Sequence, residues 1–142
     1  MHEFAHTYAA AEEGMRAALI ALEQAANQLG MRPHTQSKLL LIAEELYTNT
    51  LRHGSARAQG QVHIRLGRQG EHAWLRYEDE GAAYDPFAAA HADDLRDELR
   101  MPVADRPVGR LGIVLIQGLA LSTQYVRAAE RNCIDVVIED TA

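Results

Sequence analysis

The sequence predicts an α+β fold, a two-layer sandwich with helices packed on one face of a mostly antiparallel sheet. Three observations carry this. Two helical stretches adjoin near the N-terminus, two pairs of alternating segments are each joined by a short turn, and there is no βαβ alternation of the kind a parallel sheet needs. The length of 142 residues allows one domain with a single buried core, and residues 1–142 read as one.

Taken in order, His2 and His6 could face one way on a helix, but a mobile N-terminal tail is the better reading. Ala9 to Leu29, rich in Ala, Leu, Glu and Gln, reads as a helix ended by Gly30. Pro33 opens a second helix that runs to about Leu51 and stops near Gly54. Gln61 to Leu66 alternates polar and apolar residues, as does His72 to Asp79, with Gly67-Arg68-Gln69-Gly70 joining them into a hairpin. Residues 88–108 are weakly patterned, and loops of that length are usually functional or mobile. A third helix opens at Gly109 and runs to about Leu121. Ser122 to Ala128 and Cys133 to Glu139 form a second hairpin around Ala129-Glu130-Arg131-Asn132.

Composition removes several function classes. With 20 acidic against 14 basic residues the net charge is −6, the wrong sign for a general nucleic-acid binder. The single lysine, Lys38, has no glycines beside it, which excludes P-loop chemistry. One cysteine, Cys133, permits no internal disulfide and no cysteine-based metal cluster. The histidines show no metal-ligand spacing, and no segment is as long and apolar as a membrane span. These features point to a cytoplasmic protein.

Three separated segments stand out. At about 100° per residue, Leu39, Ile42, Ala43, Leu46 and Thr50 share one face of the second helix. Glu45, Asn49 and His53 stack along the edge of that stripe, while Glu44, Thr48 and Arg52 point outward. A carboxylate and an amide one turn apart suit a pocket between helix and sheet, and equally suit a solvated helix margin. Leu40, Tyr47 and Leu51 form an apolar flank that could pack on the first helix or on a second subunit.

In the second segment, Asp79 follows Ala73, Leu75 and Tyr77 on one strand face, so it turns toward the helices and needs a donor there. Gly81 lets the backbone approach a ligand closely, although Asp, Gly and Pro are also ordinary turn residues. The third segment, Gly109-Arg110-Leu111-Gly112 before an apolar run, offers free N–H groups and a positive dipole end to an anion.

In order and character these segments resemble the N-box, G1 box and G2 box of the histidine-kinase-like (GHKL) ATPases, whose domain is the Bergerat-type ATP-binding fold. The pattern Asp-x-Gly-x-x-aromatic-Asp-Pro, from Asp79 to Pro86, is similar to that of the anti-sigma-factor serine/threonine kinase branch. The resemblance spans about Gln36 to Ile138. It implies ATP and Mg²⁺ as cofactors, Asn49 as the ligand of the nucleotide-bound metal, Glu45 as general base, and Asp79 as the acceptor of the adenine amine. It further places His53, Gly81 and Tyr84 in the nucleotide site, Gly109, Arg110, Leu111 and Gly112 around the phosphates, and a lid over about residues 88–108. Ala83 and Arg110 stand where relatives commonly carry glycines.

The implied function is a kinase that phosphorylates an anti-anti-sigma (STAS-type) partner and regulates a sigma factor, with a homodimer plausible. A second reading is a nucleotide-binding regulatory module that grips a protein partner without transferring phosphate. A third is an interaction domain with degenerate boxes and no nucleotide response.

Overall fold

The computed structural model describes residues 2–53, 60–88 and 110–141. Among these the elements run β1 (Glu3–Ala9), α1 (Glu12–Gln28), α2 (Pro33–His53), β2 (Gln61–Gln69), β3 (His72–Asp79), α3 (Arg110–Leu119), β4 (Ser122–Ala128) and β5 (Arg131–Glu139). The strands form one antiparallel sheet of five in the order β1-β2-β3-β5-β4. The helices cover one face of it, as the hydrophobic patterning requires.

The core follows the two periodicities. Ala18, Leu22, Ala25 and Ala26 are the buried stripe of α1, and Leu39, Ile42, Ala43 and Leu46 that of α2. They meet the alternate strand residues Val62, Ile64, Leu66, Leu75, Tyr77, Ile134, Val136 and Ile138, all buried. The opposite sheet face carries charge. Arg76 pairs there with Glu78 at 3.0 Å and Asp135 at 3.7 Å, and His63 bonds to Glu80 at 2.9 Å.

Several boundaries differ from the sequence expectation. Residues Glu3–Ala9 are an edge strand rather than a mobile tail, because Phe4 and Tyr8 cover the core opposite Leu66 and Val62. Consequently α1 starts at Glu12, not Ala9. Strand β2 runs on to Gln69, which pairs with His72, so only Gly70 and Glu71 turn the first hairpin, with Gly70 at φ +59°. The second turn is likewise two residues, Ala129 and Glu130, at φ 51° and 60°. Arg131 and Asn132 belong to β5.

Of the apolar flank of α2, Tyr47 packs toward the first helix: it is 1% exposed, lies beside Gly14 of α1, and its hydroxyl donates to the Ala9 carbonyl oxygen. Gly14 lies beneath that contact, and a Cβ there would overlap the Ala9 carbonyl. Strand β1, α1 and α2 are thus locked together at one point. A second lock sits at the far end of β5, where Asp140 Oδ1 accepts from the Arg32 N–H at 3.0 Å and Oδ2 lies 2.6 Å from Arg68 Nε. The Oδ2 contact is too poorly aligned for a hydrogen bond and acts as an ion pair. Burial alone would raise the Asp140 carboxyl, but the Arg32 amide, Thr35 and Arg68 outweigh it and hold it below the usual carboxylate range.

Candidate functional site

The last two turns of α2, the end of β3 and the start of β5 converge on one cavity. Leu46, Asn49, Thr50 and His53 contribute from α2, Asp79, Ala82, Tyr84 and Pro86 from β3 and the loop after it, and Asn132 and Ile134 from β5. The convergence is built into the register. Asp79 pairs with Asn132, so both point toward the helices, and helical spacing brings Asn49 and His53 to the same edge of α2.

Asp79 is 6% exposed, and the donors its burial demands come from the chain itself. Oδ1 accepts from the Gly81 N–H at 3.0 Å and from Asn132 Nδ2 at 2.8 Å. Oδ2 accepts from Thr50 Oγ1 at 2.8 Å. Thr50 has one proton to give, so Tyr77, whose hydroxyl is 2.7 Å away, donates to Thr50 in turn. Burial pushes the Tyr77 phenol well above its ordinary value, which keeps that proton in place.

His53 and Tyr84, both in the cavity lining, stack face to face, with centroids 4.3 Å apart and planes 13° from parallel. The space left behind them is about 10 Å³, room for a single water. Small-molecule pockets are typically about 300–1,000 Å³. Among the described residues the site is thus too small for such a ligand, and the stacked pair forms part of its lining.

Glu45 lies one turn before Asn49 and does not line this cavity. Its carboxylate packs against Gly112 in the first turn of α3, where a Cβ would overlap the carboxylate outright. Glu45 is half-buried and Glu44 exposed, the difference the helical phase predicts. Thr48 departs from that prediction: it is half-buried, with its hydroxyl 3.8 Å from Met15 Sδ. Arg110 and Leu111 open α3, Gly109 lies outside the described residues, and so does the expected lid apart from Ala88.

The structure therefore brings Asn49, His53, Asp79 and Tyr84 to one cavity, attaches Gly81 to it through Asp79, and places Glu45 beside Gly112. Sequence reasoning missed two members. By pattern Thr50 falls on the apolar core stripe of α2, and Asn132 reads as a turn residue. In chemistry, though not in present volume, apolar Leu46, Ala82, Pro86 and Ile134 beside the buried Asp79 carboxylate match a flat heteroaromatic ligand with a donor on its edge. Among the described residues there is no cluster of three metal-ligating side chains. A cation at the neutral amide of Asn49 would have to bring its anionic ligands with it, as a phosphate-bound Mg²⁺ does.

Residues 8–138 match the histidine kinase-like ATPase domain, and the chain belongs to that family. Among solved structures it is similar to the Acinetobacter baumannii histidine kinase AdeS. The two are 14% identical with a TM-score of 0.50, over 98% of this chain and 68% of that one, a likeness of fold alone. No curated protein sequence matches the chain significantly. Among the described residues, no helix is long and apolar enough to cross a membrane.

Proposed function

We propose that this histidine-kinase-like domain is an ATP-dependent serine/threonine kinase of the anti-sigma type, acting on an anti-anti-sigma (STAS-type) partner and thereby regulating a sigma factor. The observation that supports it most is the packing of Glu45 on Gly112, one helical turn from Asn49. A carboxylate held against the first turn of α3, whose amides would face the phosphates, supports a role as general base for phosphoryl transfer.

In this reading Asp79 accepts from the adenine amine, Asn49 holds the nucleotide-bound Mg²⁺, and the N-terminal amides of α3 face the phosphates. The Mg²⁺ supplies charge neutralisation at the phosphates. Glu45 takes the proton of the partner's serine as its Oγ forms a bond to the γ-phosphorus, and the bond from that phosphorus to the ADP oxygen breaks. The partner leaves as a phosphoserine protein.

A second reading, a nucleotide-binding module without transfer, draws support from Ala83 and Arg110, which stand where relatives commonly carry glycines. Replacement of Glu45 by Gln separates the two. A kinase loses phosphorylation of its partner, read by mass spectrometry, by about 100-fold or more while keeping ATP. Transfer at the full rate by Glu45→Gln would remove Glu45 as the base.

A further inference from the structure

Asn132 is 3% exposed and sits on β5 beside the nucleotide cavity. Its Nδ2 donates to Asp79 Oδ1 and to the Ala82 carbonyl, each at 2.8 Å. Its Oδ1 accepts from the Tyr84 N–H at 3.1 Å, the Tyr125 hydroxyl at 2.6 Å and Arg127 Nη1 at 3.2 Å. The amide can sit only one way round. Asp79 and Ala82 present pure acceptors on one side, and Tyr84 and Arg127 present pure donors on the other, so a flipped amide would oppose like with like at these four contacts.

This arrangement reaches the ligand through Asp79. Asn132 and the Gly81 amide donate to Oδ1, and Thr50 donates to Oδ2 at 2.8 Å in preference to the Leu46 carbonyl at 3.2 Å, since a carboxylate has no proton to give in return. Donors thus face both oxygens, and the lone-pair capacity left over can only accept. A ligand edge that donates is matched there. One that presents a carbonyl meets oxygen against oxygen and leaves a buried acceptor unpaired.

Building on the adenine-nucleotide reading above, we propose that Asn132 is the positioning residue that sets base preference at this site: it holds the Asp79 carboxylate as an acceptor and so selects a 6-amino purine over a 6-keto purine. The same amide ties residues 82 and 84 to the sheet, so one side chain fixes both the recognising group and the loop that covers it.

The test compares ATP with inosine triphosphate, which differs in carrying a 6-keto group for the amine, by calorimetry on the full chain. Wild type should favour ATP by about tenfold or more. In Asn132→Asp two carboxylates meet at hydrogen-bond distance and share a proton, so Asp79 acquires donor character. The ATP-to-ITP affinity ratio should then fall by about tenfold or invert. Asn132→Ala should also lower the ratio, and Asn132→Ser, which restores a donor without restoring the loop tether, should recover most of it. If Asn132→Asp fails to fold by circular dichroism, the Ala and Ser pair decides the matter alone. Parallel loss of both affinities with the ratio unchanged would overturn the proposal, because Asn132 would then only hold the loop. Failure of wild type to bind either nucleotide would overturn the nucleotide reading itself, and this inference with it.

Discussion

Gly112 lies against the carboxylate of Glu45 with no room for a methyl group between them. Two segments 67 positions apart in the chain are thereby fastened, and the contact fixes where the carboxylate stands relative to the first turn of α3. Gly118, in the same helix, has nothing among the described residues within 4 Å of where a Cβ would stand.

The two glycines should consequently respond differently to alanine. Gly118→Ala gains helix propensity, about 0.5–1 kcal/mol, without a clash. A Cβ at position 112 meets the Glu45 carboxylate, the end of a flexible side chain that must swing aside, so Gly112→Ala gains less. Urea unfolding should show Gly118→Ala more stabilised than Gly112→Ala. Equal stabilisation by both would mean that Glu45 is not held as described.

Ala129 and Glu130 both occupy the left-handed region in the β4–β5 turn, which suits asparagine and glycine far better. The double substitution Ala129→Asn with Glu130→Gly should stabilise the domain by about 1–2 kcal/mol in urea titration. A loss of stability would contradict a two-residue turn there.

Stability should fall in acid. Burial raises the Glu78 carboxyl but Arg76 more than offsets it, and the His63 hydrogen bond leads in lowering Glu80; Asp140 is depressed as well. Carboxyls depressed in the folded state contribute stability that is present above their unfolded values, about 4, and lost as pH falls through the folded ones. Chemical denaturation should thus show no loss from these groups between pH 7 and about 5, and a decline below about pH 4. Asp140→Asn should cost about 1–3 kcal/mol at pH 7 and make the acid decline shallower. An unchanged acid slope in Asp140→Asn would rule out the Asp140 contribution.

The stacked pair of His53 and Tyr84 should part on nucleotide binding, because the space behind it holds only a water. The imidazole proton resonances of His53, shifted by the Tyr84 ring current in the free protein, should move toward their unshifted positions as ATP saturates. Unmoved resonances at saturation would mean that the ligand enters another way.

Much of the fold and part of the site were legible because they rest on local patterns. The apolar stripe of α2 singles out Glu45 over Glu44, and strand alternation turns Asp79 inward. Strand β1 was not legible: its signal is only Phe4 and Tyr8 among polar residues, and its stability comes from pairing with β2 some 60 positions away. Asn132 was hidden by propensity. Asparagine favours turns, whereas here Ala129 and Glu130 make the turn against their own preference and Asn132 stays in the strand. The coupling of Thr50 to Asp79 joins a helix to a strand, so no local pattern announces it.

The central claim is that the cavity around Asp79 and Asn49 takes ATP with its metal. Calorimetry of ATP and ADP with and without Mg²⁺, on wild type and Asn49→Ala, tests it most directly. The account predicts micromolar binding of ATP that depends on Mg²⁺ and weakens at least about tenfold in Asn49→Ala. Absence of binding under every condition would contradict it and leave a domain that keeps the fold without the chemistry.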